Sequence, residues 1–63
     1  MLSKSLLSAA EKAIKRVARR EWEFQYYHHS RNEATVVWGD GATGIKATAT
    51  YRDGRVKVES EIF

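Results

Sequence analysis

Three features of the sequence have residue types and spacings that could support chemistry: a glycine-rich segment, a pair of histidines and a row of cations. Segment 39–44 reads Gly-Asp-Gly-Ala-Thr-Gly and fits the GxGxxG pattern. This pattern binds pyrophosphate where a strand turns into a helix. Here the next residues alternate as another strand, and 63 residues are too few for a dinucleotide-binding domain. We therefore interpret the segment as a hairpin connection.

The histidine pair, His28 and His29, does not predict a metal site. Neighbouring residues of a strand point to opposite faces, so the two side chains cannot chelate one ion. The chain has no cysteine, which excludes thiolate ligands, disulfides and a cysteine nucleophile. Asp40, Asp53 and Glu33 fall in predicted turns, where bonding to the backbone accounts for them. We expect no catalytic residue, no metal and no cofactor. We therefore expect that the chain is not an enzyme.

The row of cations lies in the first third of the chain. Residues 1–21 carry six cations against two carboxylates, a net charge of +4, whereas residues 22–63 carry a net charge of −1. The candidate residues for an anionic partner are Lys4, Lys12, Lys15, Arg16, Arg19 and Arg20. Such a row could follow a phosphate backbone and release its counterions. The alternative is a charged face that serves solubility alone.

A helix must position these cations. The segment from Leu2 to about Arg20 contains neither glycine nor proline, and its leucines and alanines fall on one half of a helical wheel. This pattern predicts an amphipathic helix whose apolar side covers another layer. Ser3 is the predicted N-cap, and Arg19 and Arg20 are placed in the last turn, near the negative end of the helix dipole.

The rest of the chain alternates with a period of two and predicts four strands. The predicted strands cover 22–29, 34–38, 45–52 and 55–63. Asp53-Gly54 is typical of a two-residue type I′ turn, which places Arg52 opposite Arg55. This register puts Tyr51, Ala49 and Ile45 on an apolar face with their partners. We expect a single α+β domain, residues 1–63, with an N-terminal helix on a four-stranded antiparallel β-meander (αββββ) in two layers.

One helix covers one side of a sheet, so the other side meets water or a partner. We expect this open sheet face to carry a second candidate interface, formed by Tyr27, His29, Val37, Arg52, Arg55 and Lys57. Its aromatic residues could stack on bases and its cations could contact phosphates. An exposed Val37 would equally suit a protein partner or a homodimer.

These observations favour a small binding module over a catalyst. The leading hypothesis is a basic helix face that docks on nucleic acid or on a nucleoprotein. The alternative is a protein–protein adaptor or inhibitor, of the compact kind found among phage and plasmid accessory proteins, that acts through the open sheet face or the helix. The first twenty residues also resemble a mitochondrial presequence, but their removal would uncover the sheet. The lack of cysteine and of any long apolar run favours the cytoplasm and no membrane span.

Overall fold

A computed structural model of the chain describes residues 2–63, with side chains described from Lys4 onward. The side chains of Leu2 and of the predicted N-cap, Ser3, lie outside the described residues. The elements are helix α1 (Leu2–Val17) and strands β1 (Glu23–His29), β2 (Glu33–Gly39), β3 (Gly44–Arg52) and β4 (Arg55–Ile62). The strands form one antiparallel sheet in the order β1-β2-β3-β4. The αββββ prediction is confirmed.

Helix α1 packs on one face of the sheet through side chains one turn apart. Leu6, Ala10 and Ile14 have no solvent exposure, and a spacing of four residues places them in one row along the helix. They meet small and β-branched residues of the two central strands, which together form the core cluster. The strand residues of this cluster are Ala34, Val36, Ile45, Ala47 and Ala49. Alanines on both layers let the helix backbone approach the sheet closely.

The register of the β3–β4 hairpin agrees with the sequence prediction at every pair. Arg52 lies opposite Arg55, Tyr51 opposite Val56, and the ladder continues to Ile45 opposite Ile62. Asp53 and Gly54 both have positive φ angles, 53° and 75°, as a type I′ turn requires. The turn therefore fixes which side chains of β4 face the helix.

A β-bulge interrupts the pairing of β1 with β2. The register shifts between Phe24 and Tyr26, which leaves Gln25 as the extra residue. The Gln25 side-chain amide donates a hydrogen bond of 2.8 Å to the Gly39 carbonyl. Because a bulge adds one residue to one strand only, it reverses the alternation of side chains beyond it. Phe24 and Tyr27 therefore lie on the same face, with their ring centroids 6.3 Å apart.

The helix is too narrow to cover the whole sheet. Its diameter with side chains is about 10 Å, while strands lie about 4.8 Å apart, so one helix shields the central strands. All described residues of β1 and β4 are exposed, whereas β2 and β3 hold the buried positions. The uncovered apolar residues of the two outer strands are Phe24, Tyr26, Tyr27, Val56, Val58 and Ile62.

Candidate nucleic-acid interface

The basic side chains of helix α1 lie on its outer surface, opposite the buried row. Lys4, Lys12, Lys15 and Arg16 are all exposed. At 100° per residue, these four side chains lie on the half of the helix that faces away from the sheet. The first cation lies twelve positions before the last, which corresponds to about 18 Å along the helix axis. We call these four residues the basic helix face.

No ion pair neutralises the basic helix face within residues 4–63. The salt bridges of this part of the chain join sheet and turn residues only: Lys46 with Glu61, Arg52 with Asp53 and Lys57 with Glu59. The helix does contain one carboxylate, Glu11, which lies one turn before Lys15 at the border of the basic helix face. There it borders a shallow depression beside Leu7 and Tyr27. The positive charge of the basic helix face is thus available to a partner.

Arg19 and Arg20 do not lie in the last turn of the helix, and that prediction is wrong. The helix ends at Val17, and the amide of Trp22 donates a hydrogen bond of 3.1 Å to the carbonyl of Arg19, which closes a turn. The chain turns here because Trp22 enters the core, where it is 4% exposed. The last-turn cations are instead Lys15 and Arg16.

Arg19 nevertheless has a defined place. Its guanidinium carbon lies 5.6 Å from the centroid of the Trp22 ring, a distance suited to a cation–π interaction. Arg19 and Arg20 are both exposed. The planar face of the Arg19 guanidinium group is engaged, and no hydrogen bond or salt bridge within residues 4–63 occupies its N–H donors, which suit an oxyanion. These two arginines extend the positive surface past the end of the helix.

The structure separates the residues predicted to share the open sheet face. Tyr27 pairs with Val36 and His29 pairs with Ala34, and both partners belong to the core cluster beneath the helix. Cross-strand partners lie on one face, so Tyr27 and His29 lie on the helix side. Their placement on the open face was wrong because strict alternation from Trp22 ignores the bulge at Gln25.

Val37 lies on the open face as predicted, but it is not exposed. It is 4% exposed, since Tyr26 and Lys46 lie directly opposite it on the two neighbouring strands. Beside it on the same face, the hydroxyl oxygens of Thr35 and Thr48 lie 3.3 Å apart. Val37 itself therefore offers almost no exposed apolar surface to a partner, whereas its neighbour Tyr26 on this face is 59% exposed.

The remaining predicted residues of the open face, Arg52, Arg55 and Lys57, lie together at the end of the β3–β4 hairpin. They line a shallow depression with Thr50 and Asp53. Arg52 and Arg55 face each other as cross-strand partners, while Arg52 also contacts Asp53 at 3.9 Å. The charge of this second cluster is thus partly balanced within the chain, unlike that of the basic helix face.

The glycine-rich segment forms the loop between β2 and β3, and its own aspartate occupies its amides. Asp40 Oδ1 accepts hydrogen bonds from the backbone amides of Thr43 at 2.8 Å and Ala42 at 3.0 Å. These bonds, the one from Thr43 first, hold the pKa of the Asp40 carboxyl below its ordinary value. Amides that bind Asp40 are not free to bind a phosphate. The interpretation as a hairpin connection agrees with the pairing of Gly39 with Gly44.

His28 and His29 point to opposite faces, as their successive cross-strand partners on β2 require. His29 stacks on Tyr27, with ring centroids 5.9 Å apart and planes inclined by 12°. In the described part of the chain, no group of three or more histidines and carboxylates is arranged to hold a metal ion.

No helix in residues 2–63 has the length and apolar character needed to cross a membrane.

Comparison of the chain with protein-family models, with curated proteins and with solved structures yields no match.

The apolar residues of the outer strands form an exposed surface that the sequence pattern does not predict. As partners of Tyr51, Ala49 and Ile45, the residues Val56, Val58 and Ile62 lie on the predicted apolar face, but their exposed fractions are 48%, 37% and 67%. The signal that could have revealed this is geometric. Four strands form a sheet wider than one helix, so the helix side of an outer strand is left uncovered.

Proposed function

We propose that the chain is a non-catalytic binding module of the cytoplasm whose basic helix face docks on nucleic acid or on a nucleoprotein. One observation carries this proposal. Burial of the row formed by Leu6, Ala10 and Ile14 fixes the rotation of the helix and holds the cations outward. The basic helix face has no ion-pair partner within residues 4–63.

The expected mode of binding is electrostatic. Each cation that neutralises a phosphate releases condensed counterions, so the affinity depends on salt and little on base sequence. The basic helix face bears no asparagine or glutamine, which read adenine, and no aromatic residue, which would stack on bases. We therefore expect non-specific attachment along a phosphate backbone.

The test compares two variants with the same change in net charge. In the helix variant, Lys12, Lys15 and Arg16 are each changed to Gln. In the control variant, Arg31, Lys46 and Arg52 are each changed to Gln. Glutamine is used because it is a good helix former and avoids placing carboxylates at the negative end of the helix.

Binding to a fluorescent oligonucleotide, duplex or single-stranded, is measured by anisotropy for the wild type and both variants. The helix variant is expected to bind at least about tenfold more weakly than the control variant, since it loses three phosphate contacts. Equal losses in both variants would mean that net charge alone governs binding. No binding by the wild type at low salt would overturn the proposal.

A protein partner is the second candidate function, and one observation favours it. Phe24 and Tyr27 are about half exposed and line a depression with Leu7 and Val36 at the side of the helix. An adaptor that used this apolar strip would bind its partner almost independently of salt. Changing Tyr27 to Ser would weaken such a complex, whereas the helix variant would leave it unchanged.

A further inference from the structure

Strand β4 has an open edge with an unbroken ladder of backbone groups. It is the last strand of the sheet, and its pairing with β3 runs without a bulge from Arg55 to Ile62. Phe63 and Gly44 exchange two hydrogen bonds of 2.8 and 2.9 Å. Because hydrogen-bonded and non-hydrogen-bonded pairs alternate, the odd-numbered residues of β4 bond to β3. The even-numbered residues direct their N–H and C=O groups outward.

The two edges of the sheet differ in this respect. The opposite edge, β1, carries the bulge at Gln25, and bulges protect edge strands against pairing with another chain. Strand β4 contains neither a bulge nor a proline. On its helix side it exposes Val56 and Val58, β-branched residues that suit pairing in a sheet.

The charges of β4 are complementary to a second, antiparallel copy of themselves. On the open face the strand presents Arg55 and Lys57 in its first half and Glu59 and Glu61 in its second half. When Val58 faces Val58 of a second copy, Lys57 faces Glu59 of that copy and Arg55 faces Glu61. A shift by one pair places Glu59 opposite Glu59 or Lys57 opposite Lys57. Like charges directly opposite destabilise a sheet, so the charge pattern selects one register.

We propose that the chain forms a homodimer in which β4 pairs with β4 of a second copy, antiparallel and with Val58 on the two-fold axis. Val58 is even-numbered, so its outward N–H and C=O groups would bond to those of its copy across the axis. The product is an eight-stranded sheet. Since this axis is perpendicular to the sheet, both helices lie on the same side, and their basic faces point in the same direction.

The test uses charge reversal and mixing. In Lys57→Glu, position 57 of each copy meets Glu59 of the other copy, and in Glu59→Lys, position 59 of each copy meets Lys57 of the other copy. Each variant alone is expected to dimerise at least about tenfold more weakly, because two attractive cross-strand pairs become repulsive. An equimolar mixture of the two variants restores both attractive pairs and should form a heterodimer as stable as the wild-type dimer.

The dimer dissociation constants of the wild type, the two variants and their mixture are measured by sedimentation equilibrium without nucleic acid. The result is therefore independent of the binding proposal. Both side chains are exposed and lie opposite threonines of β3, so each variant should fold, which far-UV circular dichroism checks. Amide hydrogen exchange of Val56, Val58 and Ser60 gives a second measurement. Their outward N–H groups should be protected in the wild type and unprotected in each single variant. A monomeric wild type, dimeric single variants or a mixture that stays monomeric would overturn the proposal.

Discussion

The indole nitrogen of Trp22 donates a hydrogen bond to the hydroxyl oxygen of Thr43 at a distance of 3.1 Å. This contact ties the residue before β1 to the loop between β2 and β3. The ring of Trp22 is buried, and it ends the helix by drawing the chain into the core. The position of Arg19, which lies over the same ring, depends on this anchor.

The two tryptophans should respond differently to the same substitution. Trp22→Phe leaves Thr43 without its donor and shortens a buried side chain, so the free energy of unfolding should fall by about 1–3 kcal/mol. In Trp38 the indole nitrogen is buried and has no hydrogen-bond partner among the described residues. Trp38→Phe removes that unsatisfied donor and should cost less than Trp22→Phe. Urea unfolding measures the loss of unfolding free energy in both variants. An equal or larger loss for Trp38→Phe would contradict the assignment of the stabilising indole hydrogen bond to Trp22.

Asp40 should contribute to stability in a pH-dependent way. Its pKa is lowered in the folded chain by the amides of Thr43 and Ala42, so its contribution is present above its unfolded pKa of about 3.9. The contribution is lost as the pH falls through the lower, folded pKa. Asp40→Ala should therefore destabilise the chain at neutral pH and progressively less below about pH 4.

Thermal unfolding of the wild type and Asp40→Ala across this pH range measures the difference. Asp40→Asn is the matched control, since it keeps the acceptor oxygen and removes the charge. Its thermal stability should lie between that of the wild type and that of Asp40→Ala. A penalty that does not change with pH would show that the carboxylate charge has no role in the loop.

The bulge at Gln25 predicts a specific contact in solution. Phe24 and Tyr27 are three residues apart, and in a regular strand their rings would lie on opposite faces. With the bulge their ring centroids are 6.3 Å apart, so ring protons should show nuclear Overhauser effects between them. Tyr26 should instead show them with Val37, its cross-strand partner on the open face. Contacts between Phe24 and Tyr26, with none to Tyr27, would contradict this register.

Most of the fold could be predicted from the sequence because turn chemistry and periodicity agree. Asp53-Gly54 fixed the β3–β4 register through its positive φ angles, and the spacing of Leu6, Ala10 and Ile14 predicted the buried row of the helix. These are local signals, and each acts within a few residues of the position that it determines.

The misplaced residues depend on contacts that a local pattern does not contain. Gln25 forms a bulge whose side chain bonds to the carbonyl of Gly39, fourteen residues away in sequence, and this shift moved Tyr27 and His29 to the helix side. Val37 is buried by neighbours on two other strands. The helix ends at Val17 because Trp22 finds a partner in Thr43, although the propensity of residues 18–21 would allow another turn.

The most direct test of the central claim is the salt dependence of binding by the basic helix face. The association constant of the wild type for a mixed-sequence DNA duplex is measured between about 50 and 200 mM salt. Four helix cations that contact phosphates predict a slope of about −3 to −4 for log K against log salt concentration. In the variant with Lys12, Lys15 and Arg16 changed to Gln, the slope should be shallower by about 3. A slope near zero in the wild type, or the same slope in the variant, would contradict the proposal that these cations contact phosphates.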